Sequence, residues 1–402
     1  IEIFLPEFLG LIAPGLEKTS PRFTLTLEFT RITFPFIIFI SMCAILGGVL
    51  NSLERFAAPA SASSIGNLCI ITTLYLFVNI GKTPGHVVSW GFLLCSILQF
   101  IWLYFFCIAA GIKLKIRRPK ITPQMKEFFQ KLLPGMVGAG ILQINVLVDM
   151  MMCSYLPVAS ISYVSNADRI NQLPLGIVGV AMGIVLLPLL SKQFRQELFE
   201  EAISTQNRAT ELVLLLTVPS AVALYIYAQP FVAFLYGYGK FMENPQNVIQ
   251  TANTLSAFCI GLPAYVLVKV FSSSFFARRD TLTPVIIGLI SVLINICINL
   301  LLMDKYQHVG IAFGTAIASW VNVILLFLVL KKRKSIILDQ QTLSTVPKIL
   351  ISAFIMGVSI SLIQPYLIES IEEKTFFNER KFVDFIANPT DSGLQCLCSI
   401  HS

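Results

Sequence analysis

Charge is scarce in this chain: Asp, Glu, Lys and Arg make up 13% of its 402 residues, against about 25% in an ordinary soluble domain. Histidine is scarcer still, with three residues far apart at His86, His308 and His401. No HExxH, GxSxG or GxxxxGKS/T pattern occurs, which removes zinc peptidases, serine hydrolases and P-loop nucleotide enzymes. The Gly-containing turn Tyr236-Gly237-Tyr238-Gly239-Lys240 lacks the spacing of a phosphate loop. Nine cysteines lie singly apart from Cys396 and Cys398, so neither a metal framework nor a disulfide scaffold is expected, and they read as small apolar fillers.

Apolar length fills the space that charge leaves. The chain is 55% hydrophobic, and its apolar runs recur over nearly the whole length, broken by short polar loops. A run of about 20 residues crosses the roughly 30 Å hydrocarbon core of a bilayer as a helix. The expectation is an all-α polytopic membrane protein rather than a barrel. Ten spans are expected, near 27–52, 61–81, 86–110, 132–155, 168–191, 209–232, 250–275, 283–303, 309–330 and 347–368.

A net charge of +7 invites a nucleic-acid reading, but its distribution argues against one. With alternate loops inside, eighteen of the 29 Lys and Arg residues fall on one side and eight on the other. The positive-inside rule accounts for that excess, placing 111–131 and 331–346 in the cytoplasm and the Tyr236–Asn247 loop outside.

The basic stretch IKLKIRRPKITPQMKEFFQK at 112–131 is the strongest internal boundary. Five segments are expected: a partial first lobe at 1–111 and a basic linker at 112–131, then a second lobe of six spans at 132–330. A basic loop with one more span follows at 331–368, and an atypical tail at 369–402. Residues 1–26 read as the end of one span and an external loop. The chain opens at Ile1 inside an apolar stretch and its tail holds no further span, so a piece of a longer protein is expected. A weak internal repeat supports two lobes: Phe34-Pro35 before LERFAAP matches Leu262-Pro263 before FARRDTLTP. Residues 192–208, with mixed charge at helical spacing, read as a solvated amphipathic helix, and His86 reads as an interfacial residue.

Polar residues inside the apolar runs carry the functional argument, because a charge at mid-membrane costs about 2.5–3.5 kcal/mol on insertion scales. One group is cationic. Asp168 and Arg169 open one span, Gln172 follows a turn later, and Lys269 sits deep in span 250–275. An Arg fork and a Lys point charge suit an anionic headgroup; the alternative is a pair that anchors a helix end. Neighbours in sequence point about 100° apart on a helix, so Asp168 and Arg169 pair poorly with each other. A second group is neutral to acidic: Asp149 with Asn145, Asn295 and Asn299 with Ser291, and Thr315 with Ser319 and Asn322. One carboxylate among amide and hydroxyl oxygens is what a small hard cation wants. Interhelical hydrogen-bonded glue is the competing reading, and a run of small residues (Gly135, Gly138, Gly140) would let a neighbouring helix approach closely.

The runs TRITFPFIIFISMCAILGGVLNSLERFAAPA, GILQINVLVD, SYVSNADRINQLPLGIVGVAMGIVLLPLLS, GLPAYVLVKVFSSSFFARRDTLTPV and GTAIASWVN resemble the MurJ (MviN) family of lipid II flippases. That family belongs to the multidrug/oligosaccharidyl-lipid/polysaccharide exporter superfamily. The resemblance covers roughly residues 5–365. It implies a two-lobe exporter-type bundle of fourteen spans, of which about ten are present here. The missing spans are the first two, most of the third, and the fourteenth, which helps form the lipid-tail groove. It also implies passage of undecaprenyl-linked lipid II from the inner to the outer leaflet of the bacterial cytoplasmic (inner) membrane for cell-wall synthesis. The implied substrate-binding residues are Asp168, Arg169 and Gln172, and the reading of buried cations adds Lys269. The implied sodium ligands are Asp149, Asn295, Asn299 and Thr315, with Asn299 standing where some members have an acid. No other cofactor, no catalytic residue and no nucleic-acid partner is expected, and cell-wall assembly proteins are the expected protein partners. Two alternatives stay open: a related drug/cation antiporter or polysaccharide exporter, and a non-transporting fragment. Arg169 and Lys269 weigh against an exporter of small cations.

Overall fold

The structure is a computed structural model that describes residues 4–112, 125 and 143–375. Most of the 112–131 linker, the start of the fourth expected span with its three glycines, and residues 376–402 lie outside the described residues. Two compact units are present, Ile1–Phe129 and Gln130–Ser402. Eight helices are long and apolar enough to cross a membrane among the described residues, so the chain is a multi-pass helical membrane protein.

The first unit begins with α1 (Leu5–Ile12), α2 (Pro21–Thr33) and α3 (Phe36–Ser52). Its hairpin pair is α4 (Ala57–Phe77) and α5 (Pro84–Ala109). Helix α2 starts well before the expected residue 27. The Ser20 hydroxyl accepts the Phe23 N–H and Pro21 fills the first helical position, the usual chemistry of a helix start. Thr83 and Pro84 do the same for α5. Pro35 marks the junction of α2 and α3, where the backbone stays near helical and the two run on as one apolar stretch. Helix α5 touches α2, α3 and α4. Its core with α3 and α4 is made of Cys43, Leu46, Leu50, Ala58, Ala62, Leu103 and Cys107. Four of these seven are small (Cys43, Ala58, Ala62 and Cys107), which lets the helices approach closely, while large apolar side chains such as Ile38, Ile45, Leu68 and Phe105 face outward, as lipid permits. His86 does more than sit at an interface: its ring lies 2.9 Å from Thr83 Oγ1 and 3.3 Å from Glu28, tying the start of α5 to α2.

The second unit comprises α6 (143–154), α7 (Ser160–Pro174), α8 (Val180–Arg195) and α9 (Phe199–Ile226). After these come α10 (Ala228–Tyr236), α11 (Gln246–Ala277), α12 (Leu282–Lys332) and α13 (Gln340–Thr375). Helix α11 is its centre. Of its apolar window 72% is buried, against 17–33% for the other seven candidate spans. It packs against α7, α8, α9, α10 and α12. Pro174 lacks the N–H that would continue the ladder, and a single π turn, Leu175–Gly179, joins α7 to α8.

Eight helices and ten expected spans are reconciled by two features. Two expected spans, 283–303 and 309–330, fall within α12, whose chain reverses at Gln307 (φ 49°, ψ −132°) so that the two halves pack side by side, Ser291 meeting Ala318 and Asn295 meeting Thr315. A third, 132–155, is described only from residue 143. Segment 192–208 departs from the solvated amphipathic helix expected of it. Helix α8 ends at Arg195 and α9 starts at Phe199, with Glu197 in the left-handed region between them. Gln206, Asn207 and Glu211 are buried because they have partners. Ser274 donates to Gln206, Asn207 donates to the Ile337 carbonyl at 2.8 Å, and Arg208 bridges Glu211 and Asp339.

Candidate functional site

Helix α6 carries Asn145 and Asp149 four residues apart, hence on one face. Asp149 is 9% exposed, and its two oxygens are claimed by α12. Asn299 Nδ2 donates to Oδ1 at 3.0 Å and Thr315 Oγ1 donates to Oδ2 at 2.7 Å. Asn295, a turn before Asn299, lies 3.1 Å from Thr315 Oγ1 and 3.0 Å from Asn299 Nδ2. Turned with its nitrogen toward the carboxylate, it donates to Asp149 Oδ1 at 3.2 Å. All four residues of the expected cation set therefore meet. They come from three places: α6 and the two halves of α12.

The donor set fits a small hard cation. It offers one carboxylate, two amide oxygens and a hydroxyl, and Asn299 Oδ1 is buried with no partner among the described residues. That oxygen points past Gly314, where a Cβ would run into the Asn299 amide, so glycine is required at 314 by close approach. The rest of the expected cluster separates from it. Ser291 donates to the Ala318 carbonyl at 2.7 Å and Ser319 to the Thr315 carbonyl at 2.8 Å, which is interhelical and intrahelical glue. Among the described residues no three His, Cys, Asp or Glu side chains gather, and the seven described cysteines are free.

The cationic group is only partly assembled. Asp168 and Arg169 lie within the first third of a 36-residue helical stretch running from Ser160 to Arg195, about two turns after its start. Ala167, Ile170 and Asn171 turn into the core, which puts Asp168 and Gln172 on a neighbouring face. Gln172 donates to Asp168 at 2.5 Å. Arg169 is exposed, and among the described residues no ion pair joins it to Asp168. Lys269 is at another level. A Cβ on Gly179, in the π turn, would come 2.9 Å from its Nζ. Gly179 is ten residues beyond Arg169, about 15 Å along a helix at ~1.5 Å per residue.

A cavity of about 180 Å³ joins what the sequence held apart. Asn145, Asp149, Cys153, Asp168, Phe258 and Thr315 are among its lining residues. Asp149 and Asp168, from separate expected clusters, thus face one space. Tyr265 is an addition that sequence reasoning missed. Its buried hydroxyl has no hydrogen-bond partner among the described residues and lies within electrostatic reach of both carboxylates. Its only sequence signal was a phenolic hydroxyl inside an apolar span, where such a group needs a partner.

Comparison with known proteins bears directly on this arrangement. The family model described as "Lipid II flippase MurJ" matches residues 1–376. The "Probable lipid II flippase MurJ" of Rhizobium meliloti (strain 1021) is 37% identical over 364 residues, covering 90% of this chain and 68% of that protein. Its counterpart in Rickettsia prowazekii (strain Madrid E) is 35% identical over 369 residues, covering 92% and 72%. A solved lipid II flippase MurJ in an inward closed conformation superposes with a TM-score of 0.74 at 30% identity, over 90% of this chain and 73% of that one. An inward-facing multidrug MATE transporter of the MOP superfamily superposes at 0.68, over 83% and 76%, with 13% identity, and shows the shared fold alone. A helical membrane unit with a buried carboxylate–amide cluster, matched over nearly its whole length by these relatives, has one assignment: the chain belongs to the MurJ family of lipid II flippases, which are transporters rather than enzymes.

Proposed function

We propose that this chain carries lipid II from the inner to the outer leaflet of the bacterial cytoplasmic membrane. The observation that supports it most is the shared cavity, in which Asp149, hydrogen-bonded by Asn299 and Thr315, faces the same space as Asp168, the neighbour of Arg169. A diphosphate leaving the headgroup region loses its hydration, and fixed cations must replace it. Arg169 offers a planar fork for two phosphate oxygens. Lys269, about 15 Å further along the helix path, offers a point charge at a second level, so the two cations hold the headgroup in succession rather than together. Gln172 orients Asp168 through its hydrogen bond. The two units are the two lobes, joined by the basic 112–131 segment.

Asp149, Asn295, Asn299 and Thr315 are the residues that would hold a sodium ion, and a bound ion supplies the charge that offsets the buried carboxylate. Asn299 takes part by turning its amide so that oxygen replaces nitrogen beside Asp149. Thr315 and Asn299 keep the carboxylate hydrogen-bonded otherwise, which makes the cluster a two-state element in which α6 is tied to α12 in two different ways.

Complementation of a flippase-depleted strain, with the substitution placed in the full gene, tests the reading. Arg169→Ala is expected to abolish growth while the protein still accumulates in the membrane. Normal growth would make Arg169 an interfacial anchor and remove the headgroup site from α7.

A further inference from the structure

The end of the second unit that the charge asymmetry places outside holds a separate cavity of about 620 Å³. Gln250, Asn253 and Ser256 line it at i, i+3 and i+6, a polar stripe along α11. Among the described residues, no hydrogen bond engages the side-chain amides of Gln250 and Asn253, and Ser256 makes only a long contact, 3.5 Å, to the Tyr225 carbonyl. Across from the stripe, the break of α12 at Gln307 turns His308 inward. His308 is 3% exposed, yet neither ring nitrogen closes a hydrogen bond among the described residues, although the Gln250 backbone faces it and Tyr163 packs on its ring at 5.0 Å. Burial is costly for such an imidazole, since each nitrogen keeps its donor or acceptor demand after losing water and the Gln250 backbone can meet at most one of the two. Tyr225 and Tyr306 flank the cavity with exposed rings.

Chemistry narrows the occupant. The lining holds no carboxylate, so a cation finds no counter-charge there. Its one charged residue is Lys305, whose ammonium sits 5.4 Å over the Tyr306 ring, and one Lys does not make a diphosphate clamp. Two amides, a hydroxyl and a neutral imidazole, each able to donate and accept, suit a ligand crowded with neutral hydroxyl and amide groups. Exposed aromatic faces suit its apolar C–H surface. We propose that this cavity is a saccharide subsite that takes a neutral amino sugar bearing hydroxyl and acetamido groups. The proposal rests on the lipid II reading, and the external position makes it a receiving site for the sugar end of the headgroup after crossing.

The test is saturation-transfer NMR with N,N′-diacetylchitobiose and the chain in lipid nanodiscs. Saturation of the acetamido methyl and ring protons is expected in the wild type. Removing one polar partner or one platform, with Asn253→Leu or Tyr306→Ala at exposed positions, should lower it by about fivefold, the worth of a single hydrogen bond or so. His308→Ala is the buried companion and should do the same. Equal saturation in wild type and all three variants, or equal saturation with maltose, overturns the subsite. Lipid II transport measured on the same preparations separates the two readings. A chain that binds the disaccharide selectively but moves no lipid II retains the subsite and loses the transport assignment. One that moves lipid II with Asn253→Leu saturation unchanged loses the subsite alone.

Discussion

Thr315 Oγ1 lies 2.7 Å from Asp149 Oδ2, although 166 residues separate the two in sequence. Together with the 3.0 Å bond from Asn299 to the other oxygen, this contact fixes α6 against both halves of α12. An apolar span does not place a carboxylate at such a junction without use, because removing one partner of a buried charge leaves the other uncompensated.

Asp149→Asn should abolish the response to sodium. If the cluster binds the ion, the wild-type melting temperature rises with sodium concentration, because ligand bound to the folded state adds RT ln(1 + [L]/Kd), about 2.7 kcal/mol at a hundredfold excess over Kd. The variant should melt at a temperature independent of sodium. Identical flat curves for both proteins, with potassium as the reference salt, would leave the cluster as interhelical glue.

Gly314→Ala tests the same cluster from the backbone side. Its Cβ runs into the Asn299 amide, so either that amide turns or the two halves of α12 move apart. A loss of about 1–3 kcal/mol is expected from overpacking, together with a weakened sodium response. Wild-type stability and response would show that Asn299 has room to turn away at little cost.

Arg169→Lys separates charge from shape. Lysine keeps the positive charge and loses the fork, so transport by this variant should fall well below wild type while staying above Arg169→Ala. Initial rates of lipid II movement in reconstituted vesicles measure it. Equal rates for Arg and Lys would reduce Arg169 to a point charge.

Asp280 gives a pH prediction outside the membrane. It receives the Thr283 N–H at 3.0 Å and hydroxyl at 2.7 Å, and pairs with Arg333 at 2.5 Å. Partial burial pulls its carboxyl up, but the Thr283 hydrogen bonds and the Arg333 guanidinium outweigh it and hold the group down at about 2. A folded value below the unfolded one means stability that is fully present above about pH 4 and lost as pH falls through about 2. Asp280→Asn should therefore destabilise by roughly 0.2–1 kcal/mol at neutral pH, since Arg333 is half exposed, and by nothing below about pH 2. A gap between the two proteins that persisted in acid would assign the effect to packing. Denaturant melts across that pH range measure it.

Single cysteines placed in a cysteine-free background report the orientation. Positions within 331–346 should react with a membrane-impermeant thiol reagent only after lysis, and positions in the Tyr236–Asn247 loop should react in spheroplasts. The reverse pattern would invert the topology and move the proposed saccharide cavity to the cytoplasmic face.

The membrane, the helices and the pairing of neighbours along one helix are legible in the order of residues. Apolar runs near 20 residues leave a helix as the way to satisfy backbone groups in lipid. Four-residue spacing put Asn295 beside Asn299 and Asn145 beside Asp149. Periodicity names the face of a helix but not the helix that covers it. Packing between helices brings the Asp149 face to Thr315, turns Ser291 and Ser319 to carbonyls instead, and opens Asp168 onto the same cavity. The start of α9 shows the same limit: Gln206 and Asn207 look solvated by composition, and partners on α11 and the 331–339 loop bury them. His308 shows the limit most sharply. One histidine after a loop carries no sequence signal. It became a site because a non-helical backbone at Gln307 aims it into a polar cavity where the Gln250 backbone can meet at most one of its ring nitrogens.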